Sequence, residues 1–302
     1  MVAATVLDLW PSTTTFPGTG GITASPFGAT VVINGLYTSG VDSNGVTWHT
    51  GSIAGWDGSS SSSIQLTQKT RAPGAWTSPR NMTPRVMTVS GTIVGPSIDA
   101  TASAIDQLNA ASGLTSFVVT VARGSLIRSV IAYRHGVVDF TEVNEVTFQW
   151  TMDLVAADPR KFATALSTTT HLPSASGGLT IPVKVPFAIN STVVSGNCFL
   201  TNAGNAVGPV VLTLQGPLTA PQVTHVSTGL TLTFGSSMTL ASTDFLVVDM
   251  EAQTAMANGQ ASRNAYITSR GWSGFDPGVN QWAFSAQAGS GTCTVAATPA
   301  WL

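Results

Sequence analysis

Apolar positions along the chain recur with two different periods. In RVMTVSGTIV (85–94), Met87, Val89, Gly91 and Ile93 alternate with Val86, Thr88, Ser90 and Thr92. In EVTFQWTMDLV (145–155), Val146, Phe148, Trp150, Met152 and Leu154 alternate with Thr147, Gln149, Thr151 and Asp153. Alternation predicts strands with one buried face. Between the two the period lengthens: in IDATASAIDQLNAA (98–111) the apolar residues fall at 98, 102, 105, 108 and 111. That stripe predicts a helix, with Ser97 or Asp99 to cap its start and Gly113 to stop it.

Further strands are expected at 28–38, 116–122, 126–134 and 136–142, with turns at Asn34-Gly35, Asp42 to Gly45, Gly124 and His135-Gly136. Residues 51–80 hold five consecutive serines (59–63) and Pro73-Gly74 and have little to bury, so they read as a long loop or arm. Residues 161–181, rich in Ser and Thr with Pro173 and Gly177-Gly178, read as a linker. Beyond it, short apolar runs at 183–189, 197–202, 209–215, 222–226, 230–234, 244–250, 264–267, 280–286 and 292–297 alternate with turns, the spacing of a sandwich or jelly roll. The fold class expected is therefore mainly β. A β-sandwich or barrel-like domain over 1–160 carries one helix (98–111), and a second β-sandwich follows over 182–302.

Composition narrows the function. Of 302 residues, 43% are hydrophobic, enough for real cores, but only 9% are charged, against roughly a quarter in average soluble proteins. So little charge fits a surface largely covered by partners. The net charge is −2, and the arginines at 71, 80, 85, 123, 128 and 134 are dispersed, so no basic field draws nucleic acid. Cys198 and Cys293 are too few for a disulfide framework; they could lie on neighbouring strands and read as free thiols. The first ten residues lack the pattern of a signal peptide, and no apolar run is long enough to insert in a membrane.

Catalytic patterns are missing from the sequence. His49, His135, His171 and His225 are far apart, Gly271-Trp272-Ser273-Gly274 lacks nucleophile-elbow spacing, and Asp42-Ser43-Asn44-Gly45 lacks the later ligands of a calcium loop. Glu142 and Glu145, three apart in a strand region, are expected on opposite faces rather than as an acid–base pair. Trp272, Trp282 and Trp301 could form a sugar-stacking platform, although core packing is the commoner use.

The order of several short motifs resembles one family. These are Ile53-Ala54-Gly55-Trp56-Asp57, Gly74-Ala75-Trp76, RVMTVSGTIVGPS (85–97), MDLVAADPRKF (152–162), TNAGNAVGPVVLTLQG (201–216) and Asp276-Pro277-Gly278-Val279-Asn280. Together they resemble the distal tail proteins of long-tailed, non-contractile bacteriophages (siphophages), in the form called minor tail protein in actinobacterial phages. The resemblance implies a structural virion protein rather than an enzyme, with no cofactor and no metal. Six copies would form a ring at the tail tip or baseplate, assembled in the host cytoplasm. The first domain would build the ring, and the second would be a jelly roll like those of galectins and carbohydrate-binding modules. Partners would be the tail tube protein, the tape measure protein and the tail-tip hub and tail-associated proteins, with genome DNA passing through the lumen without specific binding. Trp56, Asp57, Gly74, Trp76 and Arg85 are then the candidate assembly-interface residues. The alternative function is a carbohydrate-binding module for attachment to the host wall.

Overall fold

The computed structural model describes residues 28–79, 81–176 and 192–302. It divides into two compact units, one running to Ala163 and including Leu302, the other Thr164–Trp301. The expected strand at 183–189 lies outside the described residues.

The first unit contains β1 (Thr30–Ile33), β2 (Leu36–Tyr37), β3 (Gly40–Val41), β4 (Thr47–Ala54), β5 (Ser62–Ser63), β6 (Leu66–Gln68), β7 (Ala75–Thr77), β8 (Asn81–Met82), β9 (Arg85–Val94), α1 (Ile98–Ala111), β10 (Phe117–Arg123), β11 (Leu126–Asn144), β12 (Thr147–Ala156) and β13 (Lys161–Phe162). The main strands follow the order β2-β1-β10-β11-β12-β9-β4-β3, an open path, so no closed barrel forms. The expected turn at His135-Gly136 is instead a bulge inside one 19-residue strand. Gly136 takes a φ of 83°, where a side chain would be strained. Residues 126–132 of β11 pair with β10, and residues from Tyr133 onward pair with β12. One strand therefore serves both layers, with its register shift near the crossover. Both layers share a core that includes Val31, Trp48, Val89, Val119, Trp150, Met152 and Leu154.

The helix spans its expected residues, with the Ser97 hydroxyl accepting from the Ala100 N–H. Its buried face is Thr101, Ala104 and Leu108, not the apolar stripe as a whole. At 100° per residue, Ile98, Ala102 and Ile105 lie to one side of that face. Ile98 remains 57% exposed, and the three line a groove with Phe148, Glu142 and Glu145. The two glutamates share this groove because a turn at 145–146 interrupts the strand alternation expected to separate them, and Asn144 Oδ1 accepts from the Val146 N–H within it.

The arm is not structureless. β5 pairs with β8 and β6 with β7, so the chain leaves the sheet at the end of β4 and returns as a two-tier hairpin into β9.

The second unit contains β14 (Leu166–His171), β15 (Ser174–Ser176), β16 (Thr192–Val194), β17 (Asn197–Asn202), β18 (Val210–Gln215), β19 (Leu218–His225), β20 (Leu230–Phe234), β21 (Thr239–Leu240), β22 (Phe245–Asp249), β23 (Thr254–Ala257), β24 (Ala261–Ser262), β25 (Ile267–Arg270), β26 (Gly278–Gly289) and β27 (Thr292–Ala297). One sheet has the order β14-β27-β18-β22-β23-β24. The other has β17-β26-β19-β20-β25, with β21 on β19. Residues 166–171, within the segment expected as linker, form an edge strand on β27; the Thr169 and Thr294 hydroxyls meet at 2.8 Å across that pair. A run of Leu, Ser and Thr buries little by itself, which is why its pattern reads as loop. Residues 264–266, expected as strand, form a short 3₁₀ turn, because the Asn264 side chain is spent on the backbone of Gln253 and Ala255. Cys198 on β17 and Cys293 on β27 lie in opposite sheets, both buried and free, rather than on neighbouring strands.

Candidate functional site

The candidate interface residues separate into a root and a tip. At the root, Trp56 and Arg85 are buried, 4% and 2% exposed. Arg85 closes the hairpin: its Nη1 donates to the carbonyls of Gly55, Trp56 and Gly58, and its Nε to that of Pro159. Gly55 approaches so closely that a Cβ there would strike the Val86 carbonyl. Lys161, which the sequence reading passed over, is 3% exposed and donates to the Trp56 carbonyl at 3.0 Å. Burial, with Arg85, Arg128 and Arg123 nearby, lowers its pKa from 10.5 to about 8, Asp57 opposing. Asp57 is on the surface and pairs with Arg123 at 2.7 Å. Trp56 and Arg85 thus set how the arm leaves the sheet, while Asp57 faces outward.

At the tip, Gly74 has a φ of 98° in the loop closing β6 onto β7. Trp76 is 68% exposed, with the Lys69 ammonium 4.7 Å from its ring centroid. Leu66 in the same tier is also exposed, as are Ile64 and Met82 nearer the root. An apolar tip of this kind on a hairpin that buries almost nothing is unusual for a surface left in water.

A second surface is the outer face of β11, β12, β9 and β4. Cross-strand neighbours on it are Asp139, Thr151, Ser90 and Ser52, then Thr141, Gln149, Thr92 and His49, then His135, Asp153 and Thr88. Thr88 donates to Asp153 at 2.6 Å, and the Ser52 and Ser90 hydroxyls meet at 2.9 Å. These three rows hold carboxylates, hydroxyls, an amide and histidines but no lysine or arginine.

In the second unit the asparagines of the quoted motifs tie loops together. The buried Asn202 donates to the carbonyls of Ala206 and Phe275, and its Oδ1 accepts from the Gly204 N–H. A Cβ on Gly204 would strike the Ala300 carbonyl, so the tight approach requires glycine. Asn280 donates to the carbonyls of Asp276 and Gly278, while its Oδ1 accepts from the Asp276 N–H and from His225 Nε2. Since Asn280 presents its oxygen there, His225 carries its proton on Nε2 and can accept from Thr228 at Nδ1. Trp282 is 1% exposed, stacked near His225 and Phe275 in the core, which removes it from any sugar platform. Trp272 is half-buried and lines a pocket of about 120 Å³ with Gln253, Asn264, Ile267 and Arg270. Among the described residues no cluster of His, Cys, Asp or Glu could hold a metal, and no helix is long and apolar enough to cross a membrane.

Residues 203–301 match the family model of the siphovirus-type tail component, C-terminal domain. The match falls within the second unit and covers about a third of the chain. Over most of its length the chain shares its fold with the crystal structure of the Dit protein of phage SPP1, described as a paradigm of the hub adsorption apparatus in phages infecting Gram-positive bacteria. The TM-score is 0.63 at 13% identity, covering 91% of this chain and 99% of that one. Structures of the phage P2 baseplate in its activated conformation, with calcium or with strontium, are also similar. Their TM-scores are 0.47 and 0.45 at 8% and 9% identity, with 90% and 88% of this chain covered and 97% of each of theirs. No curated protein sequence matches the chain. The matched span includes Asn280 and the partners of Asn202, which lies one residue before it, and both residues, quoted as turn markers, act as buried ties.

Proposed function

We propose that the chain is a structural component of a siphophage tail tip, a distal tail protein whose first unit closes with five other copies into a ring. The ring joins the tail tube to the tip and leaves a passage for the genome. The observation that carries this reading is the shared fold with the SPP1 Dit protein over nearly the full length of both chains. The arm and the uncharged, hydroxyl-rich surface support it, since both are features of a surface meant to be covered. The outer face bearing Asp139 and Asp153 suits a passage wall, because repulsion or neutrality lets DNA slide where lysines would hold it. The proposed role needs neither a catalytic constellation nor a cofactor. Its test is the mass of the purified full-length chain by sedimentation or native mass spectrometry. Six copies are expected, and a monomer at every concentration would sink the proposal.

A second reading, sugar binding at the host wall, rests on the pocket at Trp272, where an aromatic ring stands beside Arg270 and Gln253. Sedimentation of the full-length chain with purified cell wall tests it, with Trp272→Ala expected to abolish pull-down and unchanged pull-down ruling it out.

A further inference from the structure

The helix leaves apolar surface open at one end of the first unit, and the arm offers apolar surface at the other. The groove formed by Ile98, Ala102, Ile105 and Phe148 has a volume of about 280 Å³ and is rimmed by Glu142 and Glu145. No lysine or arginine lines it. The arm has the opposite character: between Gly58 and Pro84 the chain carries Lys69, Arg71 and Arg80 and no acidic residue. Its tip presents Trp76 and, on the other side of the hairpin, Leu66, at 68% and 64% exposure.

The two surfaces do not meet within one chain, since no arm residue lines the groove. β9 runs from Arg85, at the arm root, to Val94, which pairs with Thr147 beside Phe148 at the groove. Ten residues of strand separate the root from the groove by about 30 Å, at roughly 3.3 Å per residue. The hairpin springs from the Arg85 end, where β4 leaves the sheet, and neither surface covers the other: Trp76 stays 68% and Ile98 57% exposed.

We infer that the arm tip of one copy seats in the groove of the next, Trp76 entering between Ile98, Ile105 and Phe148, with Lys69 and Arg71 facing Glu142 and Glu145. A surface at one end of a subunit that fits a different surface at its other end makes a head-to-tail contact, the kind that closes into a ring when the rotation allows. The same contact explains why the helix stripe is not turned fully into its own core: part of it belongs to the neighbour's arm. Charge complementarity fixes the register and disfavours arm-to-arm or groove-to-groove pairing. This inference rests on the ring reading and specifies which surfaces make the ring.

The test uses full-length chains with one added cysteine each, Trp76→Cys in one preparation and Ala102→Cys in the other; the native Cys198 and Cys293 are buried. Mixed and oxidised, the two should give an intermolecular disulfide at least about tenfold above either preparation alone, since the contact is between unlike surfaces. A second pair, Thr67→Cys with Ile98→Cys, covers the case in which the first variants fold poorly. Reversing the groove with Glu142→Lys and Glu145→Lys should cut the yield about tenfold, and Lys69→Glu with Arg71→Glu on the arm should restore it. Rings of the expected mass without cross-linking by either pair would overturn the inference and leave the ring reading standing. Monomers at all concentrations, again without cross-linking, would overturn both.

Discussion

Replacing Lys161 with methionine should stabilise the first unit near neutral pH. The ammonium is almost fully buried beside Arg85, Arg128 and Arg123, and its pKa falls from 10.5 to about 8. At about 1.4 kcal/mol per pH unit, that drop is a cost of about 3 kcal/mol for holding the charge in the fold. The compensating bond is dispensable, because the Trp56 carbonyl that accepts from Lys161 also accepts from Arg85 Nη1 at 3.2 Å. Lys161→Met should therefore gain about 1–3 kcal/mol at pH 7, with methionine filling the same unbranched volume. The pH dependence carries the distinctive sign. Between pH 8 and 10.5 the lysine is protonated in the unfolded chain and neutral in the fold, so raising pH through this window stabilises the wild-type protein. Below pH 8 the cost is fully present, and above 10.5 it vanishes, so the advantage of the variant should close across the window. Urea unfolding of both proteins at pH 7, 8, 9 and 10, with hydrogen exchange over 85–94 as the probe of the first unit, measures the difference directly. A variant less stable than wild type at pH 7, or a gap constant to pH 10, would refute the reasoning.

Arg85→Met should free the arm, leaving the carbonyls of Gly55, Gly58 and Pro159 without the guanidinium. We expect a loss of about 3 kcal/mol in urea unfolding and faster proteolysis within 58–84; an unchanged cleavage rate would show that the arm is held by something else. Asn202→Ala should cost the second unit about 3 kcal/mol, since two carbonyls and one N–H lose a buried partner. A loss within 0.5 kcal/mol by the same method would mean that these backbone groups find other partners. Burial raises the Cys198 thiol to about 11 and pushes Cys293 higher still, so at pH 8 Cys198 is thiolate in only about one molecule in a thousand. Neither should react with a disulfide reagent in the native protein, and both should react once it is unfolded; rapid native labelling would contradict the burial of the pair.

The sequence makes some of these features readable and hides others for identifiable reasons. The helix is legible because its apolar spacing, its serine cap and its flanking glycines agree. Which of its faces is buried is not legible, because two adjacent faces carry apolar residues and Thr101, Ala104 and Leu108 pack as well as Ile98 or Ile105 would. The stripe at 148–154 is plain because alternation survives along it, and the strand 210–215 because every second residue from Val210 is apolar, although Val211 is buried as well. In the latter, Val210, Leu212 and Leu214 are all fully buried. His135-Gly136 has a turn's residues but a bulge's geometry, and only the pairing partners on either side distinguish the two. Trp56 and Arg85 are conspicuous in sequence, yet what joins them is the backbone carbonyls of Gly55, Trp56 and Gly58 that accept from Arg85, and carbonyls leave no sequence mark. The two asparagines illustrate the same limit. Their place in turns is readable, but the backbone atoms they tie belong to segments about 70 residues away in the case of Asn202 and Phe275.

The scarcity of charge acquires a physical role once the remaining charges are placed. Several of the 12 basic and 14 acidic residues are spent inside or on local structure. Arg85 and Lys161 fasten the arm root, Arg160 pairs with Asp158, Asp42 accepts from the N–H groups of Asn44 and Val46, and Asp249 from those of Glu251 and Ala252. The surface that remains is rich in serine and threonine, whose burial in a contact costs less desolvation than burial of lysine or glutamate. Such a surface gains little specificity from itself, because hydroxyls pair with almost any polar group. In the proposed arm-to-groove contact, specificity falls to the cations of the arm and the glutamates of the groove. A protein with an ordinary charge density would need complementarity over its whole contact area; this one needs it at a few positions. Neutralising the arm should therefore impair assembly far more than removing an equal number of charges elsewhere on the first unit.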